Sequence, residues 1–212
     1  MIKRIKTALL AMACLAALPA SANLIINGSF EDNDVQQGKW KWFYAEDVNG
    51  WNGSTIEIWD NFKGIDATEG NQFAELNAHS NGKKQFGIFQ TFQTNVGQTY
   101  DVSFAYRARQ SNKEAFEIGL SDSNDVSFFN QIMDDHIVGE WSFFKGSFVS
   151  TTSTTSLWFS TVNPYSGTVG NFIDNISVTS VNNVPAPTVW FLIVSALTGL
   201  FVFKKQRQRL NR

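Results

Sequence analysis

The sequence predicts an antiparallel β-sandwich of the jelly-roll kind, and three observations carry that reading. Apolar and polar residues alternate with period two in one run after another, and no run keeps helical spacing over ten residues. Asn-Gly and similar pairs punctuate those runs, as turns between short strands require. Aromatic residues make up 14% of the chain, mostly Phe, which supplies the bulk to fill the space between two sheets.

In chain order, Ile56 and Ile58 alternate with Glu57 and Trp59. Tyr100, Val102, Phe104 and Tyr106 face one way, while Asp101, Ser103, Ala105 and Arg107 face the other. Phe116, Ile118 and Leu120 alternate with Glu117 and Gly119, and Leu157 and Phe159 with Trp158 and Ser160. The Ser/Thr-rich run from Ser150 to Ser156 reads as a loop leading into that strand, and Phe172–Val178 closes the domain. Turns are expected at Asn27-Gly28, Asn49-Gly50, Asn52-Gly53, Gly70-Asn71, Asn81-Gly82, Val96-Gly97 and Ser166-Gly167. Trp51, Trp141 and Trp158 are assigned to the core.

Both ends read as addresses. Lys3, Arg4 and Lys6 precede the apolar stretch Ala8–Leu18 and then Ala20-Ser21-Ala22, a secretory signal peptide over residues 1–22. The single cysteine, Cys14, lies inside it, so the exported domain cannot rely on disulfides. At the other end Val184-Pro185-Ala186-Pro187 leads into the apolar run Thr188–Phe203 and a cluster of Lys and Arg. A helix there reaches roughly 24 Å at about 1.5 Å per residue, a little short of a hydrocarbon core of roughly 30 Å. The basic end stays on the cytoplasmic side of the inner membrane. One domain, residues 23–183, lies between. It holds all 19 acidic residues but only nine of the 17 basic ones, a net charge of −10. Such a surface excludes phosphate-backbone tracking, so nucleic acid is not a partner.

The order of breaker, span and basic end over residues 184–212 resembles the PEP-CTERM class of bacterial sorting signals, in its Val-Pro-Ala-Pro form. That resemblance implies an exosortase-type processing enzyme as partner. Across residues 23–181 the chain resembles galactose-binding-like jelly rolls, among them many carbohydrate-binding modules. The segments that carry it are Asn23–Glu31 as first strand, Gly50-Trp51, Ile56–Trp59, Glu69–Asn77, Gly97–Arg107, Trp141 and the closing Ile173–Val178. The resemblance implies an exported polysaccharide-binding domain. It also implies a structural Ca²⁺ joining first strand to last, with Glu31 and Asp174 as the matching carboxylates. As solvated edge charges the same two residues would hold no metal.

Sugar recognition calls for flat aromatic faces beside polar groups that fix hydroxyls. Trp40, Trp42 and Tyr44 provide faces in a polar segment, with Trp59 nearby. Glu57, Glu75, Asn77 and Arg107, with Arg109 beyond it, are the polar candidates. Each of these has a purely packing or ion-pairing alternative. Enzymatic signals are sparse: beyond the signal peptide there is no cysteine, and only His79 and His136 occur. Asp134-Asp135-His136 reads as a solvated turn. The expectation is a non-catalytic polysaccharide binder; the alternatives are a self-associating matrix protein and, third, a glycan hydrolase.

Overall fold

The computed structural model describes residues 21–79 and 84–181. The signal peptide up to residue 20 and the tail with Val184, Pro185, Ala186 and Pro187 lie outside the described residues. Two antiparallel sheets face each other. The six-stranded sheet joins β1 (Trp40–Phe43), β3 (Ile56–Asp60), β4 (Gln72–Glu75), β11 (Phe172–Ser180), β6 (Thr99–Arg107) and β9 (Ser142–Val149) in that spatial order. The five-stranded sheet joins β2 (Asn52–Gly53), β5 (Gly87–Gln93), β10 (Thr154–Asn163), β7 (Ala115–Ser121) and β8 (Ser127–Met133). Two single 3₁₀ turns, Ala45–Asp47 and Phe62–Gly64, are the helical elements among the described residues.

The predicted alternation places the core. Tyr100, Val102, Phe104 and Tyr106 are buried from the six-stranded side, and Phe116, Ile118, Leu120, Leu157 and Phe159 from the other. Phe104 sits at the centre, stacked on Phe144 and edge-on to Phe159 at ring distances of 4.9 and 5.2 Å. Trp51 is in this core as expected, stacked on Phe30 with its Nε1–H donated to Asn27 O at 3.1 Å. Each such ring removes a large apolar area from water, which suits a domain without disulfides.

The structure departs from the sequence expectations in four places. His136 is not in a solvated turn but buried, packed edge-on against Tyr106 and Phe116. Asn23–Glu31 is not a strand. It runs beside β11, with Leu24 N–H donating to Val178 O and Ile176 N–H to Gly28 O. The left-handed backbone at Asn27 and Phe30 then breaks the pairing. Conversely, Trp40–Phe43, read only as a polar segment carrying aromatic faces, is the edge strand of a sheet, paired to β3. Its four residues are too few for alternation to show in the sequence. Trp158 is not a core residue: it is half-buried on the outer face of the five-stranded sheet, between the buried Leu157 and Phe159.

Candidate functional site

Most of the polar and aromatic candidates converge on the outer face of the six-stranded sheet. Register sets Trp42 opposite Glu57, Glu57 opposite Glu75, Glu75 opposite Phe172 and Phe172 opposite Arg107. One step along, Trp40 faces Trp59 and Trp59 faces Phe73. Trp59, Phe73 and Phe172 form a second apolar cluster here, capped by Phe62, Ile65, Ala67 and the half-buried Trp141. The cluster submerges the polar groups as well. Glu57 (1% exposed) accepts from Trp59 Nε1–H at 2.9 Å and lies 2.7 Å from His79 Nδ1.

Glu75 (0% exposed) has both oxygens 2.8 Å from one guanidinium nitrogen of Arg109 and accepts from Gly170 N–H. Burial holds the Glu75 carboxyl well above the usual range, against the opposing pull of Arg109. The same guanidinium lies 4.7 Å above the Trp59 ring. Asn77 is fully buried and donates to Pro164 O. Arg107 stays outside this network. Its Nε is buried without a hydrogen-bond partner, and desolvation lowers its pKa. Glu57, Trp59, Glu75 and Asn77 therefore spend their chemistry inside the fold. The outermost members of the group are Trp40, Tyr44, the half-buried Trp42 and His79.

Glu31 and Asp174 both grip one loop. Glu31 Oε1 accepts from the N–H groups of Asn71 and Gln72 at 2.7 and 2.6 Å. Gly70 is the residue that permits this approach: its φ is +65°, and a Cβ there would lie 2.3 Å from that oxygen. Asp174 Oδ2 accepts from Thr68 N–H, Thr68 Oγ1–H and Glu69 N–H, and Oδ1 from Asn175 N–H. Burial pushes the Asp174 carboxyl up to about 6, against those four donors. The pair thus ties the segment before β1 to the last strand, the task expected of calcium, through donors that a cation would repel. Among the described residues no three His, Cys, Asp or Glu side chains gather to hold a metal.

A further aromatic face lies on the other sheet. Register puts Trp158 between Phe89 on β5 and Gly119 on β7, with Asn130 of β8 beyond the glycine. The indole rests on Gly119 so closely that a Cβ there would sit 2.0 Å from Cζ2 and 2.2 Å from Cε2. Only glycine leaves the ring room to lie down. Phe89, 40% exposed, extends the apolar surface. In the next row Ser160 sits between Gly87 and Glu117, and Glu117 Oε1 accepts from Asn130 Nδ2–H at 2.7 Å. Among the described residues no acceptor takes the Trp158 Nε1–H. A depression of about 520 Å³ runs along this face, lined by Trp158, Phe89, Glu117, Ser160, Gly87, Gln85 and Ser54. A flat apolar ring beside a carboxylate, amides and hydroxyls is suited to a ligand with both C–H faces and hydroxyl edges. The signal was present in the sequence: Trp158 alternates with two residues assigned inward, so it had to point out.

No protein-family model and no curated protein matches the sequence. Solved structures do match the fold. A carbohydrate-binding module, TmCBM61 in complex with β-1,4-galactotriose, aligns with 76% of this chain and 100% of its own, at 15% identity and a TM-score of 0.51. The arabinose-bound α-L-arabinofuranosidase MgGH51 aligns with 76% of this chain at 12% identity and a TM-score of 0.50. The match spans only 26% of that enzyme's length. The CBM22-1 xylan-binding domain of Paenibacillus barcinonensis Xyn10C aligns with 79% of this chain and 100% of its own, at 13% identity and a TM-score of 0.45. The fold is a jelly roll like that of carbohydrate-binding modules.

Proposed function

We propose that this chain is an exported, non-catalytic protein that binds polysaccharide on the outer face of its five-stranded sheet. The observation that carries the reading is the Trp158 indole laid flat on Gly119, beside Phe89 and within reach of the Glu117–Asn130 pair. A pyranose ring would place an apolar C–H face on the indole and offer hydroxyls to Glu117, Asn130 and Ser160. The likeness of the fold to a module solved with a bound galacto-oligosaccharide supports the ligand class. The buried state of Glu57 and Glu75 supports the non-catalytic part, because a hydrolase needs its carboxyl pair at the substrate. The N-terminal signal and the tail beginning at Val184-Pro185-Ala186-Pro187 supply the route. The chain is exported, held in the inner membrane and passed to an exosortase-type enzyme, with the cell's own exopolysaccharide as the natural ligand.

The test is binding of the purified full chain, and of Trp158→Ala, to an array of neutral and acidic glycans that includes exopolysaccharide from the producing cells. The expected result is saturable binding by the native chain and weaker binding by the variant, with both proteins melting cooperatively. A folded native chain that binds no glycan, or a variant that binds equally well, would refute the assignment.

A second reading, self-association, draws on the exposed apolar side chains of the edge strands β8 and β9: Ile132, Phe143 and Val149. Sedimentation showing concentration-dependent oligomers in the absence of glycan would favour it.

A further inference from the structure

A second aromatic surface occupies the opposite outer face of the sandwich. Among the described residues strand β1 has β3 on one side and no strand on the other, so its side chains border the six-stranded sheet. Trp40 and Trp42 share the outer face, opposite Trp59 and Glu57, and Tyr44 continues the row. At about 3.3 Å per residue, same-face side chains stand roughly 6.6 Å apart, so the three rings span roughly 13 Å. Trp51 and Trp59 are buried almost completely. Here Trp40 is 37% and Tyr44 54% exposed.

The surface is also held in place from beneath. The Trp40 ring stacks on His79 at 4.8 Å and 17°. His79 is fixed by its Nδ1 contact with Glu57, whose carboxylate is in turn oriented by Trp59 Nε1–H. Burying a carboxylate is costly, and here it immobilises a histidine whose side chain is 43% exposed. Nδ1 is occupied by Glu57. Lys41, which alternates with Trp40 and Trp42 and so sets out from the other face of β1, lies over the Phe43 ring at 4.8 Å. A row of amphipathic rings with one fixed imidazole fits a hydroxylated ligand with apolar faces.

We propose that Trp40, Trp42 and Tyr44, with His79, form a second glycan-contact surface, so that one domain engages two polysaccharide strands, one on each outer face. The two surfaces share no residue and no strand, so each stands or falls by itself.

The experiment compares the purified full chain with Trp158→Ala and with Trp40→Ala/Tyr44→Ala. Long neutral polysaccharides, β-1,4-galactan and xylan, are the probes, with tryptophan fluorescence reporting binding and light scattering reporting cross-linking. The native chain should cloud the polysaccharide solution near stoichiometric mixing. Each variant should still bind through the face it retains, but should no longer cloud it. Thermal melts check the fold, and His79→Ala serves as a second probe of the same edge. The second surface is refuted if Trp158→Ala alone abolishes all binding, or if the double variant cross-links as well as the native chain. Binding lost only in the double variant would instead overturn the Trp158 assignment. No binding by the native chain would overturn both.

Discussion

Replacing Gly119 by Ala tests the Trp158 platform without touching any group that would meet a ligand. The added methyl would sit 2.0 Å from Trp158 Cζ2 and 2.7 Å from Cη2. Carbon atoms rest at about 3.5–4.0 Å, so the indole must lift by about 1.5 Å or swing away from the sheet. If a sugar covers about a third of an indole that buries some 150–250 Å², the lost contact is about 60 Å². At ~25 cal/mol per Å² that is about 1.5 kcal/mol, and stacking geometry adds roughly 0.5–1.5 kcal/mol. The expected loss of affinity is therefore roughly 30- to 150-fold. Stability should change little. Alanine recovers about 0.5–1 kcal/mol of the backbone entropy that glycine costs in a strand, which offsets part of the displacement of a half-exposed ring. The assay is a fluorescence titration of Trp40→Ala/Tyr44→Ala, which leaves only the Trp158 face, and of the same protein carrying Gly119→Ala or Trp158→Ala, with the best glycan from the array, beside thermal melts of all three. An affinity within twofold of that parent in a cooperatively melting Gly119→Ala protein would refute the claim that the flat indole is the binding surface.

Three further outcomes are expected. Arg109→Met strands the fully buried Glu75 carboxylate and should cost about 3–5 kcal/mol, with Glu75→Gln on top recovering part; an unchanged melting temperature would contradict the network. His136 is buried between Tyr106 and Phe116 with neither ring nitrogen hydrogen-bonded, and burial holds its pKa below the ordinary 6.5. The unfolded chain binds that proton more readily, so His136 removes stability as pH falls below 6.5, whereas Asp174, raised to about 6, adds stability as pH falls through that value. In His136→Phe only the second effect should remain between them, so the chain should melt higher at pH 5 than at pH 7; a variant still weakened by acid would refute the assignment. Finally, millimolar calcium should leave the native melting temperature within about a degree, because Glu31 and Asp174 already accept from N–H and O–H donors; by mass action a bound ion would raise it by several degrees, and that result would show the loop rearranging around a cation.

Fold class, core stripe and the inward set Tyr100, Val102, Phe104 and Tyr106 were legible from the sequence, because a period of two assigns faces without knowing which strands are neighbours. The same logic places Trp158 outward, yet its residue type argued for the core. Its exposure depends on Gly119, 39 positions earlier, and only strand pairing brings the two together. Strand β1 was missed because four residues are too short a window for alternation. Asn23–Glu31 was overread because its composition suits a strand while Asn27 and Phe30 take left-handed backbone.

By itself, the sequence determined that this chain is an all-β sandwich with an acidic, cysteine-free domain, and it marked out the polar residues Glu57, Glu75 and Asn77 as unusual. Tertiary structure alone decided what those residues do. Whether a carboxylate meets a ligand or an arginine depends on what covers it, and the cover over Glu57 and Glu75 comes from Trp59, Arg109, Phe172 and Gly170, spread over more than a hundred positions. Burial is a property of long-range packing, and local periodicity reports only the direction in which a side chain sets out.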